Sequence, residues 1–162
     1  MAVILDGWKG QTPLEGSTVA NHALLTRVLY RGAMFIYVKA TNTPAANALC
    51  AFDSTTAYTV TSVTKTPVSV SAGVTWVTMV ASSFYFVQCK GPKITFADGT
   101  TLSGTIVTDG SVATQGGFEP DTATNGAVKA TTDEELNIGF SDTADVGTTL
   151  DTYWLDVRCA TL

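Results

Sequence analysis

The sequence predicts an all-β protein, an antiparallel β-sandwich or β-barrel with an extended N-terminal arm and long loops. Only 14% of the residues are charged, and Thr, Ser and Asn supply much of the polarity, a composition typical of solvated sheet faces. Phe84 to Gly110 consists of short strand-like segments separated by glycine-containing turns. A chain of 162 residues has the length of one domain. We therefore expect an arm over residues 1–16 and a single β domain over residues 17–162.

The segment from Phe84 to Cys89 has the pattern of a central strand. Its alternation leaves apolar side chains on nearly both faces, which predicts a position in the middle of the fold. Gly91 and Pro92 predict that the strand ends there, because proline cannot donate a hydrogen bond to a neighbouring strand. The rest of a predicted meander is Ile94–Ala97, an Asp98-Gly99 hairpin turn and Leu102–Thr108.

The first sixteen residues have the composition of a separate segment. A short strand, Ala2–Leu5, is followed by Trp8 with glycines on both sides. In one interpretation this is an edge strand with Trp8 in the core. In the other, an extended arm docks on a partner through Trp8, since tryptophan is a favoured interface anchor.

Residues 17–40 allow a helix or a hairpin. The helix would begin near Ser17, where apolar residues recur at roughly helical spacing. We favour a hairpin from Leu25–Tyr30 to Ala33–Lys39, because the second half is aromatic and β-branched. His22 is expected to lie on the surface or in a cap, since no partner motif for catalysis accompanies it.

The remaining strands are predicted from alternation of apolar and polar residues. The expected strands are Tyr58–Thr64, Val68–Ala72, Val74–Val80, Ile138–Phe140 and Tyr153–Cys159. In the last of these, Trp154 and Asp156 should share one face and the apolar residues the other. Residues 111–137 are rich in Gly, Thr and Asp, with Phe118 and Val128 as isolated apolar points. This composition predicts a long excursion of the kind that carries binding contacts.

Charge is distributed unevenly along the chain. Residues 1–97 carry seven basic and three acidic side chains, whereas residues 98–162 carry two basic and eleven acidic ones. This layout is complementary to another copy of the chain or to a surface with the opposite layout. It is equally consistent with acidic loops that only keep the protein soluble. The absence of a basic stripe argues against nucleic acid as a partner.

Motifs for catalysis, cofactors and metals are weak in this sequence. There is one histidine, and no phosphate-binding, dinucleotide-binding or zinc-protease motif occurs. The three cysteines form no C-x-x-C pair, and Cys89 and Cys159 are expected to be buried thiols unless neighbouring strands allow a disulfide. Asp142, Asp145 and Asp151 could collect a calcium ion together with loop carbonyls, but their spacing is not that of an EF-hand. We expect no enzyme activity, no cofactor, no metal and no membrane-spanning segment.

Three short motifs carry a family resemblance. Thr26-Arg27, Gly32 and the run Phe35–Ala40 resemble the opening of small structural proteins encoded beside the major capsid protein of tailed bacteriophages. Phe84–Gln88 followed by Gly91 is similar to their core motif, with Tyr85 where glycine is usual. Ile138–Phe140 and the final strand resemble their closing segment.

The resemblance implies a capsid decoration, or cement, protein, made in the host cytoplasm and bound to the outside of the virion. Its partner would be the major capsid protein, whose neighbouring subunits it would clamp as a homo-oligomer, with a trimer favoured. The residues that we expect to make these contacts are Trp8, Lys9, Phe118, Glu119, Asp133 and Glu134.

Two other classes of function compete with this interpretation. One is a carbohydrate-binding or adhesin-type domain on a virion surface, with Trp8, Trp76 or Trp154 as the sugar platform. Two exposed aromatic rings on one face would support it. The other is a small β-barrel hydrolase, which would require a cleft where His22 or two acidic residues converge.

Overall fold

A computed structural model describes residues 3–4, 11–54, 57–62, 70–94, 106–113, 116–121, 123–131, 137–143, 149–150 and 153–157. These residues form strands and connecting turns and contain no helix. The predicted all-β fold is therefore confirmed.

Thirteen strands are present among the described residues. In chain order they are β1 (Val3–Ile4), β2 (Arg27–Tyr30), β3 (Ala33–Ala40), β4 (Leu49–Ser54), β5 (Thr59–Ser62), β6 (Ser71–Val74), β7 (Phe84–Pro92), β8 (Ile106–Val107), β9 (Gly117–Pro120), β10 (Val128–Ala130), β11 (Gly139–Ser141), β12 (Thr149–Leu150) and β13 (Tyr153–Asp156). The strands β8 and β12 form a separate pair, and the other eleven belong to one sheet.

Five strands of the large sheet close into a barrel. They follow one another in the order β3-β5-β4-β6-β7, and β7 pairs again with β3. The sheet continues from β3 to β2 and β1, and from β7 to β13, β11, β9 and β10. Closure removes the free edges of the five barrel strands, so open edges remain only where the sheet extends beyond the barrel.

The two longest strands, β3 and β7, form the spine of the fold. They pair antiparallel from Met34 to Lys39 on β3. The side chains of β3 alternate between two apolar clusters, with Phe35 in one and Ile36 in the other. Strand β7 does the same with Phe86 and Val87. The prediction of a central strand that is apolar on both faces is thus confirmed, because a core lies on each side of it.

The predicted antiparallel arrangement needs a correction, because the sheet is mixed. Strands β1 and β2 pair in parallel through Val3 and Arg27. Strands β3 and β5 also pair in parallel, through Lys39 and Thr59. Because β3 and β5 run in the same direction, a crossover connection joins them, and β4 is part of that connection. Alternation alone does not distinguish parallel from antiparallel neighbours.

The sequence predicted that the central strand ends at Gly91. In the structure, β7 continues to Pro92. Its last residues leave β3 and pair with β13, where Leu155 lies opposite Gly91. Gly91 has φ +95°, and a Cβ there would lie 2.4 Å from the carbonyl oxygen of Gly32. A glycine is therefore needed where β7 passes close to the β2–β3 turn. Pro92 is tolerated because it is the terminal residue of the strand.

The hairpin in residues 17–40 is confirmed, since β2 and β3 pair around a turn at Arg31-Gly32.

The predicted strand Val74–Val80 is wrong. Only Val74 belongs to a strand, and residues 75–83 form turns. The Thr75 hydroxyl donates a hydrogen bond to the Val77 carbonyl at 2.7 Å, a local interaction that competes with strand pairing.

Two regions that lacked a strand prediction contain strands. Strand β4 includes Leu49, Cys50 and Ala51, all fully buried, but its small residues gave no alternation. Residues 111–137 contain β9 and β10, which pair antiparallel and join the large sheet. The described part of the excursion therefore contributes two strands to the sheet, and the isolated apolar residues Phe118 and Val128 belong to the core.

Three further predicted strands are found in the structure, as far as their residues are described. Strands β1, β5 and β6 correspond to the predictions at Ala2–Leu5, Tyr58–Thr64 and Val68–Ala72. Ile94–Ala97 and the Asp98-Gly99 turn lie outside the described residues except for Ile94. The described part of Leu102–Thr108 contains β8, whose partner is β12 and not β7.

Residues 11–24 cover the outer face of the spine. Gln11 is 1% exposed and donates a hydrogen bond to the Phe84 carbonyl at 2.7 Å. The Tyr37 hydroxyl and the Asn21 amide donate hydrogen bonds to the Gln11 Oε1 atom at 2.8 and 3.1 Å. Leu14 and Leu24 pack against the same cluster. The boundary at Gly16 stays a prediction, but residues 11–16 lie against the domain.

Candidate binding surface on the outer sheet

Two aromatic side chains are exposed side by side on the part of the sheet that extends beyond the barrel. Phe140 on β11 lies directly opposite Trp154 on β13, and their exposed fractions are 48% and 42%. Directly paired residues point to the same face of a sheet. We call this pair the aromatic face.

The alternation of β13 explains why Trp154 is exposed. Tyr153, Leu155 and Val157 are buried, whereas Trp154 and Asp156 point outward. This is the pleat that the sequence predicted for the closing strand, and it is confirmed. On β11 the flanking residues Gly139 and Ser141 are buried and Phe140 is exposed. Both rings are therefore held by strands whose opposite face is anchored in the core.

An ion pair lies beside the aromatic face. Asp156 is two residues from Trp154 on the same face of β13 and pairs with Lys90 of β7. The Lys90 Nζ and Asp156 Oδ1 atoms are 2.9 Å apart, and both side chains are about half exposed. The pair contributes little to stability at such exposure. It does place donors and an acceptor next to the indole ring.

The other side of the aromatic face is also polar. Gly117 of β9 lies opposite Phe140, and a Cβ on Gly117 would be 2.8 Å from both Asn137 Nδ2 and Thr131 Cγ2. These two side chains therefore lie over Gly117, the residue that is paired with Phe140. The Asn137 Oδ1 atom accepts a hydrogen bond from the Gly139 amide at 3.0 Å, which orients the side-chain amide.

The sequence-predicted contact residues are not brought together by the described part of the chain. Phe118 is fully buried and Glu119 is 3% exposed. The Phe118 ring therefore belongs to the core between β9 and β11 and not to the surface of the folded chain. Trp8, Lys9, Asp133 and Glu134 lie outside the described residues.

Glu119 and Asp121 are acidic side chains that the fold buries and compensates. The Glu119 carboxylate lies 3.3 Å from Lys129 Nζ and accepts a hydrogen bond from the Thr131 hydroxyl at 3.1 Å. Burial opposes ionisation of Asp121, but hydrogen bonds from the Ala123 and Thr124 amides outweigh it and lower the pKa of this carboxyl. Both carboxylates thus bind partners within the β9–β10 hairpin and stabilise it.

Other sequence candidates are internal. Trp76 is 2% exposed, and its Nε1 atom donates a hydrogen bond to Gln88 Oε1 at 3.2 Å, so its ring is no sugar platform. His22 is half-buried against the edges of the Tyr37 and Phe86 rings, which corrects the expectation of a surface or capping position. T-shaped contacts with these two rings hold the His22 imidazole against the spine.

The described cysteines are buried. Cys89 is 1% exposed, as expected, while its proposed partner Cys159 lies outside the described residues. Cys50 was left unassigned from the sequence and is also fully buried. Burial raises the pKa of the Cys50 thiol to about 12, so this thiol is unreactive in the folded chain.

The described ranges contain neither a metal-binding cluster nor a membrane-spanning helix. No group of three His, Cys, Asp or Glu side chains there is arranged to hold a metal ion. Of the predicted acidic set, Asp142 is described, whereas Asp145 and Asp151 are not. Among the residues whose placement is known, no helix has the length and apolar character needed to cross a membrane.

Comparison with known proteins gives one structural likeness. No protein-family model matches the chain, and no curated protein matches it in sequence. The fold is similar to the crystal structure of the N base of head fiber gp8.5 from bacteriophage phi29, with a TM-score of 0.53 and 10% sequence identity. The match covers 76% of this chain and 94% of that chain. At this identity the likeness concerns the fold.

Proposed function

We propose that the chain is a structural protein of a bacteriophage head. It binds the outside of the assembled shell and stabilises it by clamping neighbouring subunits of the major capsid protein. The observation that carries the proposal is the fold likeness to the base of a phage head fiber, over most of both chains. A protein with this role needs no catalytic centre, and it stabilises the shell by binding the assembled state in preference to separated subunits.

The sequence motifs supply a second line of support. The run Phe35–Ala40 lies on β3, and Phe84–Gln88 lies on β7, so these two motifs form the spine of the fold. Ile138–Phe140 covers the start of β11, which joins the sheet through β13. The residues that resemble phage head proteins are thus the residues that specify this architecture.

The proposed contacts with the shell lie in both the basic first part and the acidic last part of the chain. We propose that Trp8 and Lys9 contact one neighbour, and that Asp133 and Glu134 contact a basic surface. Charge complementarity of this kind raises the rate of encounter and selects the partner. Repeated copies on a lattice add avidity without new contacts.

The test is co-sedimentation of the purified chain with assembled phage heads that lack it. The wild-type chain should saturate the heads and raise the temperature at which they release their contents. Trp8→Ala should lower the occupancy without changing the unfolding midpoint of the free chain. Leu29→Ala serves as the control, since Leu29 is an exposed apolar residue on β2.

The outcomes separate the parts of the proposal. A chain that does not sediment with heads contradicts the proposed function. Unchanged occupancy of the Trp8→Ala variant removes the arm from the proposal and leaves the acidic contacts.

The oligomeric state is tested separately by light scattering. The resemblance to capsid decoration proteins implies a trimer of the 17.0 kDa chain, and the basic first part and the acidic last part could pair between copies. Its mass should fall towards that of the monomer at high salt, since exposed charge pairs are screened. A monomer at all salt concentrations contradicts the homo-oligomer.

A further inference from the structure

We propose that the aromatic face is a binding site for a neutral carbohydrate, with a sugar ring stacked on Trp154 and Phe140. This site is independent of the proposed attachment to the head. It uses neither the N-terminal segment nor the acidic residues assigned to shell contacts, so either proposal can fail alone.

The exposure of the two rings is the first step of the argument. Aromatic side chains have a large apolar area and are favoured contact residues. Here two of them lie on one face of paired strands, each about half exposed. Their backbones are fixed by β9 on one side and β7 on the other. The backbone that carries the two rings therefore needs little ordering when a ligand binds.

The spacing of the platform suits a sugar. Directly opposite residues in an antiparallel pair have Cβ atoms about 5 Å apart. Residues two apart on a strand are separated by about 6.6 Å. Trp154, Phe140 and Asp156 therefore fall within the span of one or two pyranose rings, whose C–H faces are apolar and whose rims carry hydroxyl groups.

The polar groups around the platform match hydroxyl groups. Lys90 Nζ and Asp156 Oδ1 offer donors and an acceptor at one side, and at the other the Asn137 amide lies over Gly117, the residue that is paired with Phe140. An ionised donor and acceptor each form stronger hydrogen bonds to a hydroxyl than neutral groups do.

The charge around the platform favours a neutral ligand. Lys90 is balanced by Asp156, and Glu119 of β9 is buried and balanced by Lys129. A charged ligand would have to compete with an internal partner for either side chain. A neutral hydroxylated ligand can bridge the Lys90–Asp156 pair without separating it.

The size of the aromatic face argues against a protein partner. Stable protein interfaces bury about 800 Å² on each partner, which corresponds to about 20 to 30 residues. Within the part of the chain that the structure describes, the aromatic face consists of two rings with an ion pair and an amide, which is far fewer. A ligand of the size of an oligosaccharide covers such a surface completely.

The test is binding of the purified full chain to immobilised neutral oligosaccharides of glucose, galactose, mannose and N-acetylglucosamine, with heparin as the charged comparison. Affinity for the strongest binder is then measured by calorimetry. Trp154→Ala and Phe140→Ala should each weaken binding at least tenfold. Trp154→Phe, which keeps a ring, should retain most of the affinity. Leu29→Ala is the matched control, because Leu29 is also 42% exposed but lies on β2.

Each result decides the proposal. Binding of at least one neutral oligosaccharide that is lost in the two alanine variants and kept in Trp154→Phe and Leu29→Ala supports it. No binding to any neutral oligosaccharide overturns it, as does binding that survives both alanine variants or binding of heparin alone. A wild-type oligomer that Trp154→Ala converts to a monomer also overturns it, since the face is then an interface between copies. Circular dichroism of each variant confirms that the fold is retained.

Discussion

The spine and the aromatic face place aromatic side chains in opposite situations within one sheet. Tyr37 and Phe86 on β3 and β7 are covered by residues 11–24, whereas Phe140 and Trp154 on β11 and β13 are exposed. A sheet face that the chain covers with its own segment contributes to stability. A sheet face with exposed aromatic residues contributes little to stability and is available for binding.

The largest expected effect is in the spine. Phe86→Ala should lower the free energy of unfolding by about 3 to 5 kcal/mol, because it removes a buried ring and leaves a cavity. Urea unfolding followed by fluorescence measures the loss. A loss of no more than about 0.5 kcal/mol, the usual range for exposed positions, would contradict the contrast between the two regions.

The next effect concerns the polar centre of the spine. Gln88 is fully buried and accepts a hydrogen bond from Trp76, while its Nε2 atom donates to the Pro92 carbonyl at 2.9 Å. Gln88→Ala should lower the free energy of unfolding by about 1 to 3 kcal/mol, since it removes the Gln88 acceptor of the buried Trp76 N–H. The double variant Gln88→Ala with Trp76→Phe should show a cost smaller than the two single costs together. Strict additivity would show that this hydrogen bond carries no energy.

A smaller effect concerns Asp121 at the β9–β10 hairpin. The pKa of Asp121 is lower in the folded chain than its ordinary value. The carboxylate therefore stabilises the fold when the pH is above the ordinary Asp pKa. This contribution is lost as the pH falls through the pKa of the folded chain. Asp121→Asn should lower the unfolding free energy by about 1 kcal/mol at neutral pH. The difference from the wild-type chain should shrink below about pH 4, near the ordinary Asp pKa. A difference that does not change with pH would contradict the role of the charge.

The smallest effect on stability is expected at the aromatic face. Trp154→Ala and Phe140→Ala should each change the unfolding free energy by no more than about 0.5 kcal/mol, the usual range for exposed positions. The denaturation midpoints of these variants and of Leu29→Ala check this expectation. A large loss at Trp154 would show that its ring packs in the monomer, and the contrast with the spine would disappear.

The sequence predicted those parts of the fold in which the pattern of apolar residues is local. The two-faced strand β7, the β2–β3 hairpin and the pleat of β13 each follow from alternation within one segment. Strand β4 was missed because Cys50 and Ala51 are small and give no alternation. Strands β9 and β10 were missed because each presents only a few core residues, and these are recognisable only once their partners are known.

The aromatic face could be predicted only in part. The outward position of Trp154 followed from its own strand. Its pairing with Phe140 depends on the register between β11 and β13, which is set by packing between distant segments and is not encoded in either strand alone. The burial of Phe118 and Glu119 could not be foreseen for the same reason.

The sharing of β3 and β7 between two apolar clusters has a consequence for how the chain folds. Neither cluster can form or melt without these two strands, so the described domain should unfold in a single cooperative transition. Their pairing joins residues about fifty positions apart, and β7 joins β13 over a longer separation still. Such non-local pairing slows folding to the millisecond-to-second range. The chain therefore reaches its native state slowly, and β13 joins the sheet only once the residues up to Asp156 are available.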